Sequence, residues 1–379
     1  MKIREFGVEI WMNRHETDCA LNLAETCVES LTVAELLAMA GKTETILAEL
    51  LPLKLTYGAI EGSARLRGLI ADLYAAQGPD NVVVTHGAIG ANALVYSALV
   101  EPGDRVVPLL PTYQQHASIP QSLGADVQAL WLREQDGFLP DLDALRRLAV
   151  PGTKLIAINN PNNPTGALMD VALLREVVGI ARGCGAWLLC DEVYRGTDQE
   201  GDGTMASVAD LYEKGISTGS MSKTFSLAGL RLGWIAAPPA LIRAVGIHRD
   251  YNTISVGVLD DHFAAIALEH RDRILARSRA ITRRNLAILD GWVTRERLVS
   301  WVKPRSGTTA LLRYDLPVPS EALCLKLLER TGVLLTPGSA LDMEGCLRIG
   351  FTNPEDALRE GLDRLATFLR EERAAVGAA

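Results

Sequence analysis

The sequence predicts an α/β protein in which a mainly parallel sheet lies between helices, with a smaller α+β part attached. From about residue 82 onward, short apolar runs alternate with amphipathic stretches, the pattern of repeated strand and helix units. Several runs are apolar on both faces, which is typical of strands covered by helices on both sides. After residue 260 the pattern changes to long helical stretches followed by short strands.

The predicted strands of the large sheet follow one another up to about residue 237. They are NVVVTHG, DRVVPLL, DVQALWL, TKLIAINN, AWLLCDEVY, GISTGS and LGWIAAP. The amphipathic segments between them, such as AIGANALVYSALV and VALLREVVGIARGCG, predict the connecting helices. Farther on, LDDHFAAIALEHRDRILARSRAITRRNLAILDGW predicts long helices, and TALLRYD and GCLRIGF predict strands of the smaller part.

The chain of 379 residues, 48% of them hydrophobic, is long enough for one large core and a second, smaller one. We expect residues 41–260 to form the large domain. Residues 1–40 and 261–379 are expected to form the small domain together with an N-terminal segment. Because no tandem repeat or polar linker separates them, a broad interface between the two domains is expected.

Composition excludes several classes of partner. The formal charge of −8, with acidic and basic residues mixed along the chain, argues against nucleic acid as a partner. No apolar run approaches the roughly 20 residues that span a bilayer, and the opening MKIREFGVEIW mixes charges into its hydrophobic residues as no signal sequence does. The six cysteines form no CxxC pairs, which favours reduced thiols over disulfides or a metal site. We therefore expect a cytoplasmic protein without a membrane partner and without a bound metal.

Polar clusters follow five of the predicted strands. Because ligands of doubly wound sheets bind beyond the carboxyl ends of the strands, these clusters are candidate site segments. They are Thr85-His86-Gly87-Ala88, Pro111-Thr112-Tyr113, Asn160 to Gly166 (NPNNPTG), Asp191 to Tyr194 (DEVY) and Ser220 to Lys223 (SMSK). Each cluster alone is also consistent with a turn, a loop or a charged strand end.

The joint occurrence of NPNNPTG, DEVY, SMSK and RLGW, in that order, resembles the pyridoxal-phosphate enzymes of fold type I. Within them the chain resembles the class I and II aminotransferases related to aspartate aminotransferase, from about residue 20 to 370. The resemblance implies a seven-stranded, mainly parallel sheet and pyridoxal 5′-phosphate as the cofactor. A looser similarity to capreomycidine synthase comes from LAGLRLGW, RDYNTIS, ALEHRDRI, KPRSG and TGVLLTPG.

The resemblance assigns catalytic roles to three residues. Lys223 would form the Schiff base with the cofactor and move a proton between the substrate Cα and the cofactor. Asp191 would pair with the protonated pyridine nitrogen, which keeps the ring an electron sink. Tyr194 and Asn163 would bind the phenolic oxygen of the cofactor, and Tyr113 would stack on its ring.

The cofactor phosphate needs backbone N–H groups at a helix start, hydroxyl groups and a cation. The resemblance places Gly87, Ala88 and Ile89 at such a helix start. The hydroxyls would come from Ser220 and Ser222, and the guanidinium from Arg231. Tyr57, in YGAIEGSARLR, resembles the tyrosine that reaches the phosphate of a neighbouring subunit, which implies a homodimer with shared active sites.

Substrate recognition is assigned less completely. Arg348, in CLRIGFTN, resembles the arginine that binds the substrate α-carboxylate, and Asn163 would also lie near the substrate. Glu25 falls where family members place an N-terminal segment over the site, and its charge would favour a basic substrate; a helix cap or a surface charge is the alternative.

The predicted activity is transfer of an amino group from an L-amino acid to a 2-oxo acid through an aldimine at Lys223 and quinonoid and ketimine intermediates. These motifs bind the cofactor and the α-carboxylate, so two related activities stay open: a β- or γ-elimination lyase, and a capreomycidine synthase-like cyclase acting on a basic amino acid. A non-catalytic ligand sensor with an aminotransferase-like domain is a more remote alternative, because no basic helix-turn-helix precedes the domain.

Overall fold

The computed structural model describes residues 2–377. Its strands, in chain order, are β1 (Leu21–Asn22), β2 (Val82–Thr85), β3 (Arg105–Leu110), β4 (Asp126–Val127), β5 (Leu130–Trp131), β6 (Thr153–Asn159), β7 (Trp187–Asp191), β8 (Gly215–Ser220), β9 (Gly233–Ala236), β10 (Val299–Ser300), β11 (Thr309–Tyr314), β12 (Val333–Leu334), β13 (Thr336–Pro337) and β14 (Cys346–Gly350). Its α-helices are α1 (Gly7–His15), α2 (Val33–Ala40), α3 (Ile46–Leu50), α4 (Ala64–Ala71), α5 (Gly87–Leu99), α6 (Gln115–Ser122), α7 (Leu142–Leu148), α8 (Val171–Cys184), α9 (Val208–Leu211), α10 (Pro239–Asp250), α11 (Val258–Glu269), α12 (Arg271–Arg295), α13 (Ser320–Thr331) and α14 (Glu355–Gly377).

The large sheet has the strand order β2-β9-β8-β7-β6-β3-β4. Only β9 runs antiparallel to its neighbours, β2 and β8, and the other pairs along this path are parallel. The two-residue strand β5 pairs with β3 as an addition to these seven strands. The predicted α/β class and mainly parallel sheet are confirmed.

Helices cover both faces of this sheet because successive strand residues point to opposite sides. On β7, Leu188 packs into the cluster that contains Val177 of α8, whereas Leu189 packs with Tyr96 of α5 and Val245 of α10. All five of these side chains are buried. The strands that carry the predicted site residues are therefore fixed from two sides.

Local capping sets the limits of the helices. At the start of α8, the Asp170 carboxylate accepts the N–H of Leu173 at 2.8 Å, and Gly185, with φ of +76°, ends the helix. Helix α2 begins with a capping box in which Thr32 and Glu35 accept each other's backbone N–H groups.

A second core belongs to the smaller part. Its four-stranded antiparallel sheet has the order β10-β11-β14-β13 and packs with α12, α13 and α14. The N-terminal segment joins this part, because β1 pairs in parallel with β12 and Trp11 and Leu23 are buried in the same cluster as Phe351.

Helix α11 spans the expected domain boundary between residues 260 and 261. It packs against α4 and α2, and Ala264 is buried in one cluster with Leu36, Leu66 and Trp234. These contacts place α11 and residues 31–40 with the large sheet. The division into a large domain of residues 41–260 and a small domain of residues 1–40 and 261–379 stays a prediction. Met1, Ala378 and Ala379, which the predicted small domain included, lie outside the described residues.

Over residues 2–377, no helix combines the length and the apolar character that crossing a bilayer requires.

Candidate active site

The carboxyl ends of three central strands meet at one edge of the sheet. Asn159 ends β6, Asp191 ends β7 and Ser220 ends β8, with Asn159 paired to Asp191 and Asp191 to Thr218 in the sheet register. A cavity of about 320 Å³ opens at this edge. The parallel topology therefore gathers side chains that are far apart in the sequence.

Most of the predicted site residues line this cavity. They are Glu25, Ala88, Ile89, Tyr113, Asp191, Tyr194, Ser220, Ser222, Lys223, Arg231 and Arg348. Gly87 and Asn163 adjoin it through neighbouring residues, and Tyr57 lies elsewhere.

The Asp191 carboxylate is buried and held by a network that the sequence analysis missed. Asn92, from α5, donates from Nδ2 to Asp191 Oδ2 at 2.9 Å, and its own Oδ1 accepts the Thr218 hydroxyl at 2.8 Å. The backbone N–H of Val193 donates to Asp191 Oδ1 at 3.2 Å. His116 Nε2 lies 3.8 Å from Asp191 Oδ2 and has no hydrogen-bond partner. The carboxylate is thus fixed in position at the floor of the cavity.

Lys223 reaches across to the N-terminal segment. Its Nζ donates to Thr26 Oγ1 at 2.6 Å and to Cys27 Sγ at 3.4 Å. Burial lowers the pKa of the Lys223 ammonium, but attraction by Cys27, Tyr194 and Glu25 outweighs burial and raises that pKa overall. These neighbours therefore favour the protonated form of the Lys223 amine.

Glu25 lies beside this lysine as a charged group. Its Oε1 accepts the backbone N–H groups of Thr26 at 2.6 Å and Cys27 at 2.9 Å. Burial raises the pKa of the Glu25 carboxyl, but attraction by Lys223 and these N–H groups more than offsets burial, so the pKa is lowered. Glu25 is thus an anion at the cavity wall.

Tyr194 and Asn163 are both buried, and Tyr194 lies close enough to Lys223 to feel its charge. Burial raises the pKa of the Tyr194 hydroxyl, opposed by the positive charges of Lys223 and Arg348. Asn163 is fixed by its backbone N–H, which donates to Asn159 Oδ1 at 2.7 Å, whereas its side-chain Oδ1 is buried without a partner. An unpartnered buried amide oxygen indicates a place where a ligand completes the hydrogen bonding.

Tyr113 connects the large sheet to helix α1. Its hydroxyl donates to Glu9 Oε1 at 2.7 Å, and its ring centroid lies 4.7 Å from that of Phe6. Burial and the Glu9 carboxylate both raise the pKa of the Tyr113 hydroxyl, which keeps it a hydrogen-bond donor.

An anion cradle lies at the start of α5. Gly87 has a φ of +66°, and a Cβ added there would lie 3.1 Å from Arg231 Nη2. Gly233 allows β9 to lie against the backbone of Gly87, since a Cβ added at Gly233 would lie 2.3 Å from the carbonyl carbon of Gly87. Ser220 and Ser222 are buried beside this site. Helix-start N–H groups, hydroxyls and a guanidinium are thus assembled as a phosphate requires.

Arg348 is 2% exposed and lines the cavity. Its Nη2 donates to the carbonyl of Ala24 at 3.1 Å and to Thr336 Oγ1 at 3.0 Å, but its Nε has no partner. Burial lowers the pKa of this guanidinium, and no carboxylate in residues 2–377 forms an ion pair with it. A buried guanidinium with a free donor is suited to bind a ligand carboxylate.

Tyr57 lies outside the cavity, with 74% of its surface exposed. The nearby side chains of Leu51 and Leu55, each 80% exposed, also present apolar surface.

The cavity residues that the sequence analysis missed come mainly from helices and from the N-terminal segment. They include Glu9, Met12, Glu16, Thr26, Cys27, Asn92 and Asn159, together with His116 behind the cavity. Asn92 had a signal in the sequence, because a single amide within the apolar helix GAIGANALVYSAL needs a buried partner. Glu9 and Glu16 had no such signal in the sequence, because surface helices commonly carry such charges.

Three structural features show that the residues of this cavity fit pyridoxal phosphate. A lysine reaches into the cavity, a fixed carboxylate lies at the strand ends, and the cradle at Gly87 and Arg231 is shaped for a phosphate. Together with the sheet topology, these features define the class of pyridoxal-phosphate enzymes of fold type I.

Comparison with known proteins agrees with this class. The family model for aminotransferase class I and II matches residues 37–365. The chain is 32% identical to capreomycidine synthase of Streptomyces vinaceus, over 98% of this chain and 96% of the relative. The crystal structure of a PLP-dependent aminotransferase from Streptococcus suis 89-1591 is 44% identical and covers 98% of this chain and 99% of its own, with a TM-score of 0.95. That of the PLP-dependent cyclase OrfR is 34% identical and covers 98% of each chain, with a TM-score of 0.90. The chain belongs to the class I and II aminotransferase family, and its cofactor is pyridoxal 5′-phosphate.

Proposed function

We propose that this protein transfers an amino group from an L-amino acid to a 2-oxo acid, with pyridoxal phosphate attached at Lys223. The observation that supports this most directly is the meeting of Lys223, Asp191 and Arg348 in one cavity. An amine, a fixed carboxylate and a buried guanidinium are the groups that this chemistry requires of the protein.

When bound, the cofactor supplies an electron sink for the electron pair left when the substrate Cα–H bond breaks. Asp191, fixed by Asn92, would hold the pyridine nitrogen. Arg231 and the helix start at Ala88 would hold the phosphate, with Ser222 donating its hydroxyl.

Four further residues would act around the reacting atoms. Lys223 Nζ would remove the proton from the substrate Cα and deliver a proton to the carbon that takes the amino group. Tyr194 would donate its hydroxyl to the phenolic oxygen, and Asn163 would donate to the same oxygen from its side-chain Nδ2. The ring of Tyr113 would lie against the cofactor ring.

Arg348 would bind the substrate α-carboxylate through its free donors. A planar guanidinium that makes two parallel hydrogen bonds fixes the orientation of the amino acid, so that the Cα–H bond faces Lys223. Burial of Arg348 keeps water from competing for that contact.

The test is the visible absorbance of the purified holoprotein during titration with amino acids. Transamination predicts a loss of the lysine-bound cofactor absorbance, with a 2-oxo acid and pyridoxamine phosphate formed in equal amounts. The variant Lys223→Ala should lack that absorbance while keeping its fold by circular dichroism. Normal absorbance in this variant would remove Lys223 from its role, and no response to any amino acid would refute the proposed function.

A second candidate is a cyclase or elimination reaction on the same site, and the similarity to capreomycidine synthase and to OrfR favours it. The groups that bind cofactor and α-carboxylate would be the same in both reactions. Release of ammonia or a cyclic product, without pyridoxamine phosphate, would identify this candidate by mass spectrometry.

We further propose a homodimer in which Tyr57 of each chain reaches the phosphate of its partner. The exposure of Tyr57, Leu51 and Leu55 supports this, because exposed large apolar side chains are covered when two copies associate. Light scattering should give twice the chain mass, and a monomeric holoenzyme with full activity would contradict it. The six free cysteines support a reducing compartment, the cytoplasm, as the location.

A further inference from the structure

The N-terminal segment forms one wall of the cavity and is anchored to both parts of the molecule. In α1, the Trp11 indole N–H donates to the carbonyl of Leu335 at 2.8 Å, and the backbone N–H of Gly7 donates to Gln114 Oε1 at 3.0 Å. A Cβ added at Gly7 would lie 2.9 Å from the carbonyl oxygen of Ala340, so the helix is seated closely on its neighbour. Side chains on this wall therefore have fixed positions.

Three carboxylates of this segment line the cavity: Glu9, Glu16 and Glu25. Glu9 accepts one hydrogen bond, from the Tyr113 hydroxyl, and Glu25 accepts backbone N–H groups through Oε1. Glu16 is exposed at the mouth of the cavity. Among the ion pairs within residues 2–377, none includes any of these three carboxylates. The wall thus carries negative charge that forms no ion pair within residues 2–377, although Lys223 attracts Glu25, and Arg348 attracts both Glu9 and Glu25.

The cations that line the cavity are Lys223, Arg231 and Arg348. The proposed function occupies all of them, with Lys223 linked to the cofactor, Arg231 facing its phosphate and Arg348 facing the substrate α-carboxylate. Asp191 is likewise matched by the pyridine nitrogen. Once cofactor and α-carboxylate are in place, the acidic wall is left without a positive partner.

Arg348 indicates where the carboxylate of the amino acid substrate lies relative to the acidic wall. The exposure of Arg348 is only 2%, and its unpartnered Nε is free to donate to an anion. Its Nη2 contacts the carbonyl of Ala24, the residue next to Glu25. A ligand whose carboxylate binds Arg348 therefore lies beside the acidic wall.

We propose that the amino donor is an L-amino acid with a cationic side chain, an ammonium or a guanidinium, which Glu9, Glu16 and Glu25 bind. This inference rests on the proposed function and adds the substrate class. A dicarboxylic amino acid would place its second carboxylate against the acidic wall and is disfavoured by like-charge repulsion.

The experiment compares ligands that differ in charge and match in shape. Holoprotein is titrated with arginine and with citrulline, its uncharged analogue, and with lysine, norleucine and glutamate, and dissociation constants are taken from the cofactor spectrum. We expect each cationic ligand to bind at least about tenfold more tightly than its neutral analogue, the effect of about 1.4 kcal/mol.

Matched variants assign this preference to the wall. Glu9→Gln, Glu16→Gln and Glu25→Gln keep the shape and remove one charge each, and Asp18→Asn removes a charge from the same segment outside the cavity. At least one of the glutamine variants should weaken arginine binding by about threefold to tenfold and leave citrulline binding unchanged. The Asp18→Asn control should bind both ligands as the wild type does.

The outcomes distinguish failure of the cationic-donor proposal from failure of the proposed aminotransferase function. Equal or tighter binding of citrulline, norleucine or glutamate, with a normal spectral response, would overturn the cationic donor and leave the proposed function standing. Equal losses for arginine and citrulline in the variants would show that the carboxylates only maintain the fold, which also overturns it. No spectral response to any amino acid would refute both.

Discussion

Replacing Asn92 with leucine removes the amide that holds Asp191 and nearly preserves the side-chain shape. Asn92 is 0% exposed, and the change removes its hydrogen bonds to three buried groups: the Thr218 hydroxyl, Asp191 Oδ2 and, at 3.4 Å, Gln115 Oε1. Each unpaired buried group costs about 1–3 kcal/mol, so loss of the two shorter bonds, to Thr218 and Asp191, should lower the free energy of unfolding by about 2–6 kcal/mol. Because Asp191 then loses its orientation, we also expect the cofactor dissociation constant to rise at least about tenfold.

Two assays check this prediction against a matched control. Urea denaturation of the apoprotein measures the free energy of unfolding, and cofactor titration followed by absorbance measures the dissociation constant. The control is Asn285→Leu, which removes a buried amide that donates to the carbonyl of Asn353 at 2.7 Å, away from the cavity. Asn285→Leu should lose stability and keep its cofactor affinity. Unchanged cofactor affinity in Asn92→Leu would refute the positioning role of Asn92.

Three further predictions concern other parts of the molecule. Arg348→Lys keeps the charge but not the planar fork, so substrate affinity should fall by about 2–3 kcal/mol with little change in cofactor affinity; equal substrate affinity would contradict its role. Gly233→Ala places a Cβ 2.5 Å from the Ala88 nitrogen, so cofactor affinity should drop. A cofactor dissociation constant equal to that of the wild type would contradict this prediction. Burial raises the pKa of Asp198 to about 6, so the folded protein binds an extra proton between about pH 4 and 6 and loses stability as pH rises through that range. That loss of stability is at most about 3 kcal/mol. Denaturation at pH 4 and pH 7 should show a smaller difference in stability for the Asp198→Asn variant than for the wild type. An equal difference would exclude Asp198 as the source of the pH dependence.

The sequence by itself determined the class of fold and much of the site. Strand patterns end in short polar motifs, and parallel strands bring their carboxyl ends to one edge, so Asp191 and Ser220 could be placed together from their positions alone. Lys223 and Arg231 lie on the same local stretch as Ser220. Their approximate placement required only short-range geometry and the family resemblance.

Only the tertiary structure decided which distant side chains complete the site. Asn92 reaches Asp191 across 99 residues, and Thr26 reaches Lys223 across 197, through contacts that depend on how helix and segment dock. The acidic wall at Glu9 was equally hidden, because a charged residue on a short amphipathic helix faces solvent in most proteins. The packing of α11 against α4 and α2 was hidden for the same reason: a helical pattern predicts a helix, whereas the surface against which it is buried follows from packing.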